Sequence, residues 1–135
     1  MNYRYLVLGG LAALTVACGG GSNGGGGTPT NPTNPTNPNP VPTTTITITS
    51  AGVNPQVITV PAGSRVTFIN NDNRQHEINS DPHPNHGDCP AIDDVGFIAA
   101  GQTKLTGNLT ERRTCGFHDH TQPEVRSLQG QIIVQ

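Results

Sequence analysis

The segment from residue 19 to residue 42 restricts what this chain can fold into more than any other part of it. It opens with a glycine-rich tract and then repeats proline at nearly every third position in TPTNPTNPTNPNPVP. Glycine loses more backbone freedom on folding than any other residue, and the proline repeat favours extended polyproline II. We therefore predict a semi-rigid linker, reaching roughly 40 Å at ~3.1 Å per residue, and a folded domain confined to residues 43–135.

The first 18 residues are typical of a secretory signal. Arg4 precedes an apolar run from Tyr5 to Ala17, which is too short to cross a bilayer as a helix. The end of this run resembles the lipobox of bacterial lipoproteins, in which the cysteine becomes the lipidated N-terminus, although Thr15 stands where leucine is usual. We predict that Cys18 is lipidated and holds the domain on the bacterial cell envelope, at its periplasmic or extracellular face. The alternative is an ordinary cleavage site with an unmodified cysteine.

Strand patterns dominate residues 43–135. Threonine alternates with isoleucine in TTTITITS, which suits a strand with one buried face, and the segments VITV, RVTFIN, QTKLTGNL, TCGFH and GQIIVQ follow between turn signals. No stretch has a convincing helical period. Short strands separated by turns every eight to twelve residues or so predict an all-β sandwich. Because the chain contains no tryptophan, its core is expected to consist of Ile, Val, Leu and a few Phe.

Charge and motif content narrow the classes of function. All nine acidic residues lie in the predicted domain and the formal net charge is −2, without a basic patch, which argues against a nucleic-acid partner. The sequence shows no nucleophile–base pair, no phosphate-binding loop and no zinc-finger spacing. We therefore do not expect an enzyme, and we expect the chain to act as a monomer.

The order of the sequence features resembles the cupredoxin family. The matching segments are ITVPAGSRVTFINND (58–72), His76, CGFHDH (115–120) and LQGQIIV (128–134), with Leu128 where the family usually has methionine. They correspond to the family's P-x-G turn, its V-x-F-x-N strand, its first histidine ligand, its late cysteine and histidine, and its closing strand. The resemblance implies a Greek-key β-sandwich with copper held by loops at one end, and a redox partner protein.

All five histidines lie in the predicted domain and form two groups, and the resemblance implies that these groups meet at one end of the sandwich. Neutral imidazole is the usual ligand of copper and zinc. We predict a copper site that includes His76, His118 and His120. A histidine from the proline-rich loop completes it, with His86 favoured over His83. Four nearby carboxylates are candidates for orienting the rings through their second nitrogens: Glu77, Asp81, Asp88 and Asp119.

Two cysteines remain once Cys18 is lipidated, and an even pair in an oxidising compartment normally forms a disulfide. A bridge between Cys89 and Cys115 closes a loop of 26 residues, worth ~3 kcal/mol in the chain-entropy model. The combination of SDPHPNH with FHDH is similar to a cupredoxin-like subgroup whose site is rich in histidine and lacks the blue-copper cysteine. The alternative, a blue-copper site with Cys115 as thiolate beside His76 and His118, stays open from the sequence.

The sequence thus predicts a surface-anchored copper-binding protein that serves electron transfer or copper handling through a histidine-rich site. Three alternatives remain. The first is a true blue-copper electron carrier. The second is an oxidative copper enzyme, for which the sequence offers no substrate pocket. The third is a metal-free sandwich for binding or adhesion.

Overall fold

The computed structural model of the protein describes residues 39–135. The predicted signal peptide, the predicted lipidation site Cys18 and the linker up to residue 38 lie outside the described residues. Strand structure begins at Val41, two residues before the predicted domain boundary. No helix within residues 39–135 is long and apolar enough to cross a membrane.

The described domain consists of ten short strands, one single-turn helix and one 3₁₀ turn. The strands are β1 (Val41–Pro42), β2 (Thr45–Thr49), β3 (Gly52–Asn54), β4 (Val57–Val60), β5 (Thr67–Asn70), β6 (His76–Ser80), β7 (Gly96–Ile98), β8 (Thr103–Leu105), β9 (Thr114–Asp119) and β10 (Gln129–Val134); the helix is α1 (Pro90–Asp93) and the 3₁₀ turn is Arg126–Leu128. The larger sheet has the order β1-β4-β10-β9-β6-β7 and the smaller has the order β3-β2-β5-β8. Strands of both sheets contribute side chains to one hydrophobic core, so the predicted all-β sandwich is confirmed.

The core lies between the two sheets. Alternate side chains along a strand point to opposite faces of its sheet, and one of these two sets is buried. In β2, Ile46 and Ile48 are fully buried, while the threonines between them are partly exposed. Phe68 on β5 and Phe117 on β9 meet edge to face across the core, with ring centroids 5.3 Å apart. Each such buried apolar side chain contributes roughly 1.5–3 kcal/mol. The core consists of Ile, Val, Leu and Phe, together with the two cysteines, largely as predicted.

Strand β9 lies between β10 and β6 near the middle of the larger sheet, and its two faces have different partners. Phe117 points into the core, so Cys115 and Asp119, which share its parity, point the same way. His118 lies on the opposite face, and His120 follows with the same parity just beyond the strand. This outer face is where residues 81–89 pass over the sheet.

The loop of residues 81–89 lies directly against β9. The Asp81 amide donates to the carbonyl oxygen of Gly116 at 3.0 Å, and the Asp88 amide donates to the carbonyl oxygen of Asp81 at 2.9 Å. A Cβ atom at position 116 would collide with the Asp81 side chain. Glycine is therefore needed here, because it lets the loop approach the strand closely enough to form these hydrogen bonds.

A disulfide fixes the end of this loop to the same strand. Cys89 and Cys115 are bonded, with their Cα atoms 5.8 Å apart and a sequence separation of 26 residues. Both residues are buried, and both belong to the hydrophobic core. The predicted disulfide is confirmed, and it ties the histidine-bearing loop to the strand that carries His118.

Candidate metal centre

Four histidines come together on the outer face of the larger sheet. His83 and His86 come from the loop of residues 81–89, and His118 and His120 come from the end of β9. Each offers one ring nitrogen, and these four nitrogens all lie within 4.8 Å of one another. The shortest ring-centroid separations are 4.7 Å between His86 and His120 and 4.8 Å between His83 and His120. We call this group the four-histidine cluster.

The spacing of the cluster fits a single metal ion. Histidine nitrogens bind zinc at about 2.0–2.1 Å, and copper at similar distances, so two nitrogens on opposite sides of one ion are about 4.2 Å apart. The observed upper limit of 4.8 Å exceeds that separation by only roughly 0.6 Å. Small rotations of the rings therefore suffice to place all four nitrogens around one ion.

His118 carries the clearest sign that the cluster holds a ligand. Its Nδ1 lies 2.7 Å from Oδ1 of Asp81, and its side chain is 3% exposed. Because the ionised carboxylate accepts the proton on Nδ1, the lone pair of the neutral ring is left on Nε2. Nε2 is buried and has no hydrogen-bond partner. An unpaired buried polar atom costs about 1–3 kcal/mol, and a metal ion removes that cost.

His86 and His120 face each other through one ring nitrogen each. Nε2 of His86 lies 3.0 Å from Nδ1 of His120, so one ring donates a proton and the other accepts it. Burial lowers the pKa of His86, and the neighbouring histidines lower it further. The ring of His86 is thereby kept in the neutral form that binds metals.

The backbone of His86 adopts the left-handed region, with a φ of 50°. This conformation is uncommon outside glycine and costs about 1–3 kcal/mol. It is held by a hydrogen bond from the His86 amide to the carbonyl of Pro82 at 2.8 Å and by one from Oγ of Ser80 to the His86 carbonyl at 2.9 Å. The loop therefore presents His86 to β9 through a specific and strained turn.

Two further residues that sequence reasoning missed support this turn. Asp93 on α1 accepts a hydrogen bond from the Ser80 amide at 2.7 Å, and Ser80 in turn contacts the backbone of His86. Ser80 opens the SDPHPNH segment, but that motif assigns it no role, and no motif marks Asp93, since their proximity depends on α1 folding back over the end of β6. His83, in contrast, is exposed and forms the solvent-facing rim of the cluster.

His76 is not part of the cluster, which corrects the sequence prediction that made it a ligand. Its side chain is fully buried and lies on the core face of β6, whose parity it shares with the buried Ile78. Nδ1 of His76 lies 2.7 Å from Oδ2 of Asp119, and Nε2 lies 3.1 Å from Oδ2 of Asp72. Both ring nitrogens are thus occupied by carboxylates, on the opposite side of the sheet from the four-histidine cluster.

The two carboxylates around His76 are held in the charged form. For Asp119, burial raises the pKa, but hydrogen bonds from His76, Thr121 and backbone amides outweigh that effect and lower it. For Asp72, burial again acts upward, and a backbone amide, Arg74 and His76 together lower the pKa. Sequence reasoning missed Asp72, although it lies four residues before His76.

The remaining sequence candidates take different roles. Asp81 orients His118, the role expected for it from the sequence. Asp88 is half exposed and lies 3.9 Å from Arg113. Glu77 acts through its backbone, whose carbonyl accepts a hydrogen bond from the His120 amide at 2.7 Å. The sulfur of Cys115 is bonded to Cys89 and points into the core, so it offers no thiolate to the cluster.

No protein-family model and no curated protein matches this chain. Solved structures do resemble it. A purple cupredoxin from Nitrosopumilus maritimus is 16% identical, with a TM-score of 0.51 over 69% of this chain and 100% of its own. An oxidised plastocyanin from Dryopteris crassirhizoma is 16% identical, with a TM-score of 0.53 over 67% and 99%. A methionine-to-alanine mutant of amicyanin in its Cu(I) state is 18% identical, with a TM-score of 0.52 over 67% and 80%.

Similarity at these identities establishes the fold. The described domain is a cupredoxin-like Greek-key β-sandwich, as the sequence predicts.

Proposed function

We propose that this chain is a copper-binding protein of the bacterial cell envelope, serving electron transfer or copper handling, and that it holds copper through His83, His86, His118 and His120. The observation that carries this proposal is the buried, unpaired Nε2 of His118 inside a group of four ring nitrogens within 4.8 Å. Most buried polar atoms in folded proteins have a hydrogen-bond partner, so an unpaired ring nitrogen among three other histidines favours a bound ligand.

Copper is the metal that this donor set and fold favour. Imidazole nitrogens suit copper, zinc and nickel, and Cu(II) has the highest affinity among the divalent first-row metals. The amicyanin structure that this domain resembles is described in its Cu(I) state. Bound copper would supply one-electron chemistry between Cu(I) and Cu(II). The chain's own part is to fix the His118 tautomer through Asp81 and to hold both pairs of histidines on a disulfide-linked scaffold.

The exposed rim of the cluster supports exchange with another protein. His83 faces solvent, while His118 is buried beneath it. An electron or a copper ion can therefore pass between the cluster and a docked redox or copper-delivering partner at His83, without opening of the core. A reversible Cu(II)/Cu(I) couple in voltammetry is the result expected for an electron carrier. A site that binds copper but shows no reversible couple would support copper handling instead.

The type of copper site has a direct test. We expect the oxidised Cys18→Ala chain, denatured without reductant, to show no titratable thiol, because its two remaining cysteines are bridged. Loaded with Cu(II), the same chain should be pale and lack the intense absorption of a thiolate–copper bond, while electron paramagnetic resonance reports nitrogen ligands. An intense blue colour together with free thiols would contradict the four-histidine site and favour a thiolate ligand at Cys115.

Location at the membrane is the second part of the proposal. We expect the mature chain to begin at a lipidated Cys18 and to carry its domain on the linker of residues 19–42, away from the membrane surface. Fractionation of bacteria that produce the full chain should place the wild type with membranes and Cys18→Ala in the soluble fraction. Identical, soluble behaviour of both chains would remove the lipid anchor from the proposal without affecting the metal site.

A further inference from the structure

Two buried side-chain nitrogen or oxygen atoms in residues 39–135 have no hydrogen-bond partner. One is Nε2 of His118, and the other is Oδ1 of Asn79. Each such atom costs about 1–3 kcal/mol unless a partner is supplied. Nearly all buried polar atoms in folded proteins are paired, so each exception needs a physical reason.

The two unpaired atoms belong to neighbouring side chains. Asn79 on β6 pairs directly with His118 on β9 in the antiparallel register of the larger sheet. Side chains of directly opposed residues lie on the same face, with Cβ atoms about 4.5–5.5 Å apart. Asn79 therefore lies beside His118 on the outer face, beneath the segment that carries His83 and His86.

The orientation of the Asn79 amide follows from its second neighbour. Nδ2 of Asn79 lies 3.5 Å from Oδ1 of Asp93, a long contact between a donor and a carboxylate. Asp93 is itself held in place by the Ser80 amide at 2.7 Å. Turning the Asn79 amide over would place its carbonyl oxygen against that carboxylate, which is electrostatically unfavourable. The oxygen consequently points away from Asp93 and keeps its lone pairs free.

We propose that Asn79 is a fifth member of the metal centre and that its Oδ1 supplies an oxygen donor to the ion held by the four-histidine cluster. This inference rests on the proposed function. A single ion satisfies both unpaired atoms at once, since they belong to opposed residues on one face. A set of four nitrogens and one neutral oxygen suits tetragonal Cu(II). Asn79 therefore stabilises Cu(II) relative to Cu(I) and lowers the reduction potential of the site.

The test compares the full chain with its Asn79→Leu and Asn79→Asp variants, using Cu(II) alone as the probe. Leucine has nearly the shape of asparagine without the oxygen. We expect Asn79→Leu to bind Cu(II) about tenfold more weakly, to show an altered paramagnetic resonance spectrum and to have a higher reduction potential. The metal-free variant should melt no lower than wild type, because an unpaired buried atom has been removed. Asn79→Asp should bind Cu(II) more tightly.

Asn108→Leu is the matched control, because it makes the same change at an exposed asparagine between β8 and β9, outside the four-histidine cluster. It should leave the spectrum and the affinity unchanged. If Asn79→Leu retains the wild-type spectrum and affinity, Asn79 lies outside the metal centre and the inference is overturned, whether or not the variant melts lower. If the wild-type chain binds no Cu(II), the proposed function itself is wrong. That result differs from a wild-type chain that binds Cu(II) and an Asn79→Leu variant that binds it equally well, so the two failures are distinguishable.

Discussion

Replacing His118 by alanine is expected to raise the dissociation constant for Cu(II) at least about 100-fold. Removal of a residue that only hydrogen-bonds to a metal ligand weakens metal binding by up to about 100-fold. Removal of a ligand itself should weaken it by no less. His118 is the most buried member of the four-histidine cluster, and Asp81 fixes its tautomer so that a free lone pair is left on Nε2. Its loss removes the one ligand that is already prepared for the metal. Competition with a chelator of known affinity measures the effect.

His76 provides the matched control for this experiment, because it is also a buried histidine beside a carboxylate. It lies outside the cluster, so His76→Ala should keep the wild-type number of nitrogen ligands in the Cu(II) spectrum. It should instead lower the free energy of unfolding by about 3–5 kcal/mol, since the buried carboxylates of Asp72 and Asp119 both lose the hydrogen bond to the histidine ring. His76→Gln, which retains an N–H donor, is the milder form if the alanine variant does not fold.

Substitutions of the two histidines should therefore affect different properties of the protein. His118→Ala should fold and lose copper, whereas His76→Gln should lose stability and keep copper. A folded His76→Gln protein that binds copper as poorly as His118→Ala would contradict the structure. It would restore the sequence prediction that His76 is a ligand.

Removal of the disulfide should have the largest effect on stability after that of His76. We expect Cys89→Ala with Cys115→Ala to lower the free energy of unfolding by about 3 kcal/mol, because the unfolded chain gains the freedom of a 26-residue loop. For a domain of this size that loss corresponds to a fall in melting temperature of roughly 15 °C. Thermal unfolding of the oxidised chains measures it. The serine double variant should lose more, because its hydroxyls replace buried sulfurs.

Copper binding should survive disulfide removal in weakened form. The loop of residues 81–89 is still held to β9 by the Asp81–Gly116 backbone hydrogen bond and by the contact of Asp81 with His118. A double variant as stable as wild type would show that the bridge contributes nothing in solution. In that case Cys115 would become available again as a possible ligand.

The sequence predicted the sandwich because its signal is local. Alternation in TTTITITS and the turns between strands depend on neighbouring residues, and β2 follows that pattern. Elements that sequence reasoning missed, β3, β7 and α1, have only three or four residues each. Segments this short contain too few apolar positions to show a strand or helix periodicity. Their conformation is determined mainly by the sheets and loops that they join.

The candidate site was predicted in part, since four of the five histidine candidates come together. The exception, His76, shows what was overlooked. Its parity with Ile78 places it on the core face, whereas His118 has the parity opposite to Phe117. Those parities can be read from the chain. The contacts of Asn79 with His118, and of Ser80 with Asp93, depend on strand register and on the path of the loop, which no short motif encodes.

Strand β9 presents core residues on one face and cluster histidines on the other, and this limits how the protein can change during evolution. Inserting or deleting one residue between Cys115 and His118 would exchange the faces of every side chain beyond the change. The imidazoles of His118 and His120 would then turn into the apolar interior, and the Asp119 carboxylate would take their place beside the loop. Homologues that keep the four-histidine cluster should therefore conserve the length of the FHDH segment strictly, even where the surrounding residues have diverged.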